Sequence, residues 1–447
     1  MIIKSKSISS IKKPVFIDVF AGAGGLSLGL FQSGWNGLFA IEKSSMAFET
    51  LKYNLINQTI EPSFQWPEWL PIEPFDIEDF MRDYTLDINE KLQDIDLLAG
   101  GPPCQGFSSA GRRRRDDERN LLFEKYLEFV AMIKPKMILI ENVLGFAASF
   151  TKTERGGEQI GIDEETFNAD QLLKRRLTEM NFVSFSKQVM SKDFGVPQLR
   201  PRYILIAIRN DLFDDSVRSS INPFEIMKNL RVEFLTKYGL PVDDQVTLFE
   251  AISDLELRHG HEMRRENQKK PFRFGKYGVV SSKYQEIMRR KKIGEPISDG
   301  VIANSHRFAN HSSNVITRFE HIIRNFRPGI QLKEKDRKQL DINKHRVALL
   351  AANQVCYTLT SLPDDLIHYC EPRIPTVREY ARIQSFPDWF EFKSNYTTGG
   401  DRRQMEIPRY TQVANAVPPL LAEILGLTLI ELLQNRLTAG CRELTLQ

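Results

Sequence analysis

Cysteine is scarce in this chain, and the four residues present, Cys104, Cys356, Cys370 and Cys441, include no Cys-x-x-Cys pair. Such wide spacing argues against a disulfide framework and against a zinc knuckle, and it favours reduced thiols in a cytoplasmic protein. The seven histidines have no cysteine partners at zinc-finger spacing, so no metal site is predicted.

Long apolar runs are also missing. No stretch reaches the roughly 18 consecutive apolar residues that indicate a membrane-spanning helix. The first fourteen residues are polar and basic, without the apolar centre of a signal peptide. Internal repeats and low-complexity segments are absent as well. We therefore expect a globular protein with no membrane segment, and 447 residues are enough for two or three domains.

Positive charge is concentrated in one part of the chain. Residues 261–346 contain 21 Lys and Arg against nine Asp and Glu, so this block carries +12 while the whole chain carries +3. A basic block in an otherwise acidic chain is typical of a nucleic-acid-binding region. A solvated basic surface with no partner has the same composition, so charge alone does not establish DNA binding.

Short apolar runs alternate with amphipathic segments from about residue 14 to residue 209. Runs at 15–20, 37–41, 95–99, 137–140 and 203–208 predict strands, and segments 26–33, 45–55, 121–133 and 170–180 predict helices. This alternation predicts an α/β fold with a parallel-type sheet covered on both faces. An exposed loop is expected at 151–168, and a last apolar helix at 420–433 is of a type that packs back onto the sheet.

A glycine-rich turn, with the sequence Asp-Val-Phe-Ala-Gly-Ala-Gly-Gly, spans the end of the first strand. Glycines between a strand and a helix let the backbone approach a ligand at the helix N-terminus. The dinucleotide pattern is incomplete because its third glycine falls on Ser27. Glu42 ends the second strand twenty residues after Gly22, where a carboxylate can bind ribose hydroxyls. These features predict a site for an adenosine-containing cofactor, with a structural glycine turn as the alternative.

Polar residues follow three further strands. Cys104 stands on the turn Gly-Gly-Pro-Pro-Cys, where it is a candidate nucleophile or else a buried structural thiol. Glu141 ends the strand at 137–140, where burial would raise its pKa and suit it to donate a proton, although a capping acid is the alternative. Gln198, Arg200 and Arg202 alternate along an extended segment, so we expect three donors aimed together at carbonyl or phosphate oxygens. A solvated basic turn is the other possibility.

Six segments in order resemble the motifs of the S-adenosylmethionine-dependent DNA cytosine C5-methyltransferases of bacterial and phage restriction–modification type. They are DVFAGAGG, GGPPCQGFS, ENV, QLRPR, VREYARIQSFPD and QVANAVPP. The resemblance covers both ends of the chain and leaves only the basic middle unmatched. It implies a Rossmann-like catalytic and cofactor-binding domain at 1–209 and 405–447. A smaller, basic target-recognition domain at 210–404 would then be inserted before the C-terminal helix.

The resemblance also implies a role for each matched residue. Cys104 would add to C6 of a flipped cytosine, Glu141 would protonate N3, and Arg202 with Arg200 would hold the base carbonyl. C5 would then be methylated from S-adenosylmethionine before Cys104 is eliminated. The implied cofactor contacts are Phe20, Gly22, Gly24, Gly25, Leu26, Glu42, Lys43, Asp76, Ile77, Gly101, Pro103, Leu122, Asn415, Ala416 and Val417.

The DNA contacts are less defined at this point. Arg112 to Arg115 follow the nucleophile and are expected to bind phosphates. Base-reading candidates in the basic block are Arg264, Arg265, Arg289 and Arg290, which the sequence does not rank.

Double-stranded DNA is the expected partner, with a cognate restriction endonuclease as a functional one. A monomer in the cytoplasm, associated with the nucleoid through DNA, is the default. One alternative is a transfer-RNA cytosine C5-methyltransferase, disfavoured because its Cys-Phe-Thr tripeptide is missing here. A catalytically inactive DNA-binding protein on the same fold and a nicotinamide oxidoreductase are the others. The intact Cys104, Glu141 and Arg202 argue against the former, and the incomplete glycine pattern against the latter.

Overall fold

The computed structural model describes residues 13–58, 60–103, 118–147, 169–212, 221–265, 270–397 and 406–443. The strands are β1 (Val15–Val19), β2 (Asn36–Ile41), β3 (Leu97–Gly100), β4 (Met137–Asn142), β5 (Phe182–Met190), β6 (Gln198–Leu199), β7 (Pro201–Arg209), β8 (His261–Arg264), β9 (Phe272–Lys276), β10 (Ile302–Arg307), β11 (Ile330–Gln331), β12 (Ala348–Leu349), β13 (Cys356–Tyr357) and β14 (Leu366–Ile367).

The α-helices are α1 (Gly25–Gln32), α2 (Ser45–Leu51), α3 (Ile77–Asp83), α4 (Thr85–Lys91), α5 (Glu118–Ile133), α6 (Ala169–Glu179), α7 (Pro223–Tyr238), α8 (Leu248–Ile252), α9 (Lys283–Met288), α10 (Ser313–Asn325), α11 (Glu334–Gln339), α12 (Val377–Ile383), α13 (Arg409–Asn415) and α14 (Pro419–Glu443). A π-helical turn, Lys52–Ile56, extends α2. Short 3-10 turns lie at Leu144–Ala147, Ser191–Phe194, Asn210–Leu212, Ser253–Leu255, Leu257–His259 and Pro363–Asp365.

A six-stranded sheet organises the molecule, with the strand order β2-β1-β3-β4-β7-β5. The four strands β1 to β4 are parallel, as the alternating pattern predicts, whereas β7 is antiparallel to both β4 and β5. The edge strand β5 has no sequence prediction because only Phe182 and Val189 along it are buried. An edge strand with one partly solvated face lacks the continuous apolar run of a central strand.

Successive residues of β1 enter different cores, as the pleat of a strand requires. Phe16 belongs to a core that also contains α1 and α14, and Ile17 belongs to a second core built with α3, α4 and α5. Both faces of the sheet are therefore covered, which confirms the predicted doubly covered α/β architecture. The carboxyl ends of β1 to β4 meet at one edge of this sandwich.

The C-terminal segment is a core element. Arg409–Gln434 is the one helical segment in the described part of the chain that is long and apolar enough to cross a membrane by length and composition. However, 72% of its apolar window is buried inside the protein. Gly29 of α1 lies so close to Ala422 that a Cβ at Gly29 would overlap it, so the two helices pack backbone to backbone. Burial against α1 explains the apolar composition without a membrane.

The middle of the chain folds around smaller sheets. Strands β8, β9 and β10 form an antiparallel sheet, while β11, β12 and β14 form a mixed sheet in which β12 is antiparallel to β11 and parallel to β14. The second sheet and α10 enclose a small core of their own, which includes Phe319, Ile322 and Leu349. In contrast, α7 packs into the core of the main sheet through Phe224 and Phe234. The domain boundaries at 209 and 405 remain predictions.

Candidate active site

The glycine turn and Glu42 form one unit at the ends of β1 and β2. One carboxylate oxygen of Glu42 accepts a hydrogen bond from the backbone N–H of Gly22 at 2.8 Å, and the other accepts from Ser44 N–H at 2.7 Å. Burial raises the pKa of Glu42, and these backbone donors oppose that rise. The Lys43 N–H acts on the same carboxylate, which leaves the carboxylate some acceptor capacity for a hydroxyl group.

Two glycines in the turn are needed for different physical reasons. Gly22 has a φ of +56°, and a Cβ built there would have no protein atom within 4 Å. Gly25 has ordinary torsions, but a Cβ would overlap the carbonyl oxygen of Val417. Gly22 thus leaves open space beside Glu42, whereas Gly25 lets the turn at residues 415–417 pack against the start of α1.

Four other predicted cofactor contacts lie after β1, after β2, at the start of α3 and in α5. Lys43 forms a salt bridge of 2.9 Å with Asp76, and the Phe75 N–H donates to the Glu42 carbonyl. Asp76 also caps α3, where the pKa of its carboxyl is lowered by hydrogen bonds from Lys43 and the α3 backbone against the opposing effect of burial. The side chains of Phe20 and Leu122 are partly exposed at the edge of the second core. Apolar edges of this kind suit an adenine ring.

Gly24 is the left-handed N-cap of α1. Leu26 is buried in the first core and Ile77 in the second, while Gly101 and Pro103 lie on the turn after β3. Asn142 donates from Nδ2 to the Pro102 carbonyl at 2.9 Å and so ties the Gly-Pro-Pro turn to β4. The turn that carries Cys104 therefore starts from a fixed position, although Cys104 itself lies outside the described residues.

The acid and the arginine expected to act on the base are in contact. Glu141 Oε1 lies 2.7 Å from Nε of Arg202, and both side chains are about nine-tenths buried. Burial lowers the pKa of Arg202, and the Glu141 charge opposes this effect. The pair lies where β4 meets β7 at the carboxyl edge of the sheet, next to Gly101, where a Cβ would come within 3.2 Å of the Glu141 carbonyl oxygen.

Arg200 is buried more deeply than Arg202, with 1% of its surface exposed. Its Nη2 donates to the Ala416 carbonyl at 2.9 Å, but Nε and Nη1 have no hydrogen-bond partner among the described residues. Burial lowers the pKa of Arg200 well below its usual value, and the neighbouring Arg202 lowers it further. Arg200 thus holds two unused donors close to the Glu141 and Arg202 pair.

Gln198 does not join the two arginines as a third donor aimed at a substrate. Its amide nitrogen donates to Gln384 Oε1, and its amide oxygen accepts from the Leu359 N–H at 3.0 Å. Gln384 in turn donates to the Ala416 carbonyl at 2.5 Å, the same oxygen that Arg200 binds. The expectation of three donors acting together was wrong for Gln198, because both ends of its amide are used inside the protein.

Two buried residues in the quoted motifs had no predicted role. Asp18 accepts a 2.5 Å hydrogen bond from Ser27, and burial raises its pKa to about 7. Gln384 joins the QLRPR segment to the turn at Ala416, as described above. A polar residue inside an apolar strand or helix is a recognisable signal, but its partner lies far away in sequence and can only be found in the fold.

The base-reading candidates separate clearly in the structure. Arg289 is 1% exposed, pairs with Asp254 at 2.6 Å and stacks on Tyr277, so it is a structural residue. Arg264, Arg265 and Arg290 are exposed. The expectation that Arg289 contacts DNA was wrong, because a buried guanidinium paired with carboxylates cannot reach a base. Arg112 to Arg115 and the predicted loop 151–168 lie outside the described residues.

Comparisons with known proteins identify the family of this chain. A family model described as C-5 cytosine-specific DNA methylase matches residues 15–431. Type II methyltransferase M.DdeI from Desulfomicrobium norvegicum is 31% identical over 92% of this chain and 87% of its own length. Type II methyltransferase M.XorII from Xanthomonas oryzae pv. oryzae is 27% identical over 95% and 86%.

A crystal structure described as a DNA modification methyltransferase encoded within an E. coli prophage has the same fold. Its TM-score is 0.59 at 23% identity, with 94% of this chain and 100% of that chain covered. The fold class is thus that of an α/β methyltransferase with a central Rossmann-like sheet. The chain belongs to the C-5 cytosine-specific DNA methylase family and is a DNA cytosine methyltransferase. The family and activity expected from the sequence are confirmed, and family membership implies the use of S-adenosylmethionine.

Proposed function

We propose that this protein is the modification methyltransferase of a restriction–modification system, methylating C5 of cytosine within a short recurring sequence of double-stranded DNA. The observation that carries this proposal is the buried Glu141 and Arg202 pair at the sheet edge, beside the turn that leads to Cys104. A carboxyl group and a guanidinium in contact can bind the N3 and carbonyl edge of a cytosine together.

S-adenosylmethionine fits the turn at Gly22. The open space above Gly22, the remaining acceptor capacity of Glu42 and the apolar edge of Phe20 and Leu122 suit a methionine chain, a ribose and an adenine respectively. Asp76 lies beside Glu42, where its carboxylate can accept from the adenine amino group. When bound, this cofactor supplies a methyl group activated by a positively charged sulfur.

Cys104 starts the reaction in the proposed mechanism. Its thiolate adds to C6 of the cytosine while Glu141 gives a proton to N3, which turns C5 into a nucleophile. Arg202 holds the base carbonyl, with Arg200 adding positive charge nearby. After C5 has gained its methyl group, a base removes the C5 proton, the C6–S bond breaks and N3 returns its proton to Glu141, which restores the aromatic ring and frees Cys104.

The target cytosine must leave the DNA stack because C6 is covered by neighbouring bases in a duplex. The region 210–404 would recognise the sequence and hold the opened duplex, as its basic composition suggests. A cognate endonuclease cutting the same sequence would be the functional partner. The enzyme would act as a monomer on DNA in the cytoplasm.

Mapping of 5-methylcytosine at single-base resolution tests the proposal. Plasmid DNA is recovered from cells that express the wild-type chain or Cys104→Ala. Methylation at one recurring sequence, absent with Cys104→Ala, is the expected result. Wild-type levels with Cys104→Ala would overturn the covalent mechanism. No DNA methylation with the wild-type chain would overturn the proposed substrate, and RNA from the same cells would be mapped next.

A further inference from the structure

A cavity of about 150 Å³ opens beside β6. Leu199 lines it, whereas its neighbours Gln198 and Arg200 are buried and are not part of its lining. This cavity, which we call the β6 cavity, is thus lined by different side chains from those of the candidate active site.

The basic middle region supplies the walls of the β6 cavity. Strand β13 pairs in parallel with β6, with Tyr357 opposite Leu199, and Thr358 Oγ1 donates to the Leu199 carbonyl. Gln331 belongs to β11 and Arg346 lies two residues before β12, and both also line the cavity. The lining therefore combines Leu199 of β6 with residues of the region 331–366.

Arg346 is the positively charged hydrogen-bond donor among the residues that line the β6 cavity. It is exposed, and among the described residues it forms no salt bridge, although its charge acts on Asp365 through space. A guanidinium that lines a cavity without a carboxylate partner is available for a planar acceptor. Gln331 is also exposed and can either donate or accept.

Hydrogen-bond acceptors also line the β6 cavity. Asp365 is 9% exposed and accepts a hydrogen bond from Thr360 Oγ1 at 2.9 Å. The hydroxyl of Tyr357 donates to the Gly329 carbonyl at 2.6 Å, and Thr358 donates to Leu199 as described. Since these hydroxyl hydrogens are already used, each hydroxyl has only oxygen lone pairs to offer a ligand.

A phosphate does not suit this arrangement, because it needs donors on all sides and would be repelled by Asp365. A G·C base pair does suit it in the major groove, since guanine presents the acceptors N7 and O6 and cytosine presents an amino donor. We propose that the β6 cavity recognises one G·C base pair of the target sequence, with Arg346 donating to guanine and Asp365 accepting from the cytosine amino group. This inference rests on the proposed function and adds the recognition step to it.

The positive charge of the segment that leads to Arg346 supports a position of the β6 cavity against DNA. Segment 327–346 contains seven Lys and Arg against three Asp and Glu. Arg327, Lys333 and Lys335 are exposed there, and none of them forms a salt bridge with a described residue. Such free cations bind backbone phosphates without regard to sequence and would place the duplex over the β6 cavity.

The first experiment uses the purified full chain and duplexes randomised around the methylated cytosine. Wild type, Arg346→Gln and Lys335→Ala are compared by single-base mapping of methylation. Arg346→Gln should lose about 10- to 100-fold of the preference for G·C at one position and keep the rest of the recognition sequence. Lys335→Ala should keep every preference while methylating all sequences more slowly. An equal loss across all sequences with Arg346→Gln, or an unchanged pattern, would overturn the inference.

A second measurement changes the DNA and leaves the wild-type fold intact. Replacing the recognised guanine by 7-deazaguanine removes the N7 acceptor, and it should slow wild-type methylation about tenfold while barely affecting Arg346→Gln. Equal sensitivity of the two proteins would exclude a contact between Arg346 and N7. If the wild-type chain methylates no DNA at all, the result overturns the proposed function, and the inference that rests on it is overturned as well.

Discussion

The two sides of the candidate active site are held together by different interactions. On the proposed cofactor side, backbone N–H groups of Gly22 and Ser44 hold Glu42, and the absence of a Cβ at Gly22 leaves open space. On the proposed base side, Glu141 and Arg202 are buried charges in contact with each other, and Arg200 is a buried charge beside them. The cofactor side thus depends on close backbone packing, and the base side depends on charge.

This difference predicts that the two sides respond differently to changes of volume and of charge. An added methyl group should disable the cofactor side, either by overlapping the backbone of Val417 or by filling the space above Gly22. A change of charge at constant volume should slow the chemical step on the base side, whereas on the cofactor side it should lower the affinity for the cofactor.

Glu141→Gln should have the largest effect, because it removes the proton donor while keeping an oxygen that Arg202 can bind. Methyl transfer in a single turnover should slow by about 10²- to 10⁴-fold. Cofactor affinity, measured by calorimetry, should remain close to that of wild type. Glu42→Gln is the matched control on the proposed cofactor side. It should lower cofactor affinity and leave the rate of methyl transfer at saturating cofactor close to that of wild type. A loss of cofactor affinity alone with Glu141→Gln would contradict the assigned role.

Gly25→Ala should destabilise the protein by about 3 kcal/mol, because its Cβ would overlap the backbone of Val417. Gly22→Ala adds the same methyl group in the same turn, but into open space, so only left-handed strain of about 1 kcal/mol is expected. Urea unfolding measures both variants. Gly22→Ala should nevertheless weaken cofactor binding, because the new methyl group occupies the ligand space. Similar unfolding free energies for the two variants would show that the turn is not tightly packed.

Asp18→Asn should make stability less dependent on pH. Burial raises the pKa of Asp18 to about 7 from 3.8, so the folded protein holds a proton that the unfolded chain releases between these values. The stabilisation from this group is present at acidic pH and is lost as the pH rises toward 7. Between pH 5 and pH 8, wild type should lose about 2 kcal/mol more than Asp18→Asn. Parallel stability curves for the two proteins would exclude a neutral buried Asp18.

Arg200→Met should have a small effect on stability, and this effect should be favourable by about 1 kcal/mol. It replaces a buried cation with two unused donors by an apolar side chain of similar length. Methylation should fall at the same time, because positive charge near the base is lost. Arg202→Met is the matched comparison and should be destabilising, since Glu141 would stay buried without its cation. A destabilised Arg200→Met would mean that its bond to Ala416 outweighs the cost of burying its charge.

The sequence was sufficient for the parts of the fold that depend on local pattern. Alternating apolar runs located β1 to β4 and β7, and the glycine turn located the start of α1. The antiparallel direction of β7 could not be predicted from the sequence, because the pattern of apolar residues in a strand does not depend on the direction of its neighbour. The edge strand β5 was missed because one face is solvated.

The predicted roles of polar side chains were wrong where those side chains have partners inside the protein. Arg289 and Arg290 are adjacent and identical in type, but one is buried against Asp254 and the other is exposed. Gln198 alternates correctly with Arg200 and Arg202, yet its amide is used by Gln384, which lies 186 residues away. Charge and spacing indicate which residues are available for chemistry, while the fold decides which of them are used.

The packing of α1 against α14 bears on the order in which the segments must follow one another along the chain. Because these helices touch at Gly29 and Ala422, the segment from Arg409 onward completes the core that β1 begins. A rearranged gene that begins just before Arg409 and continues through a linker into β1 would encode the same contacts. The order in which the motifs are translated is therefore separable from the structure they form, and such a permuted enzyme should fold and methylate DNA.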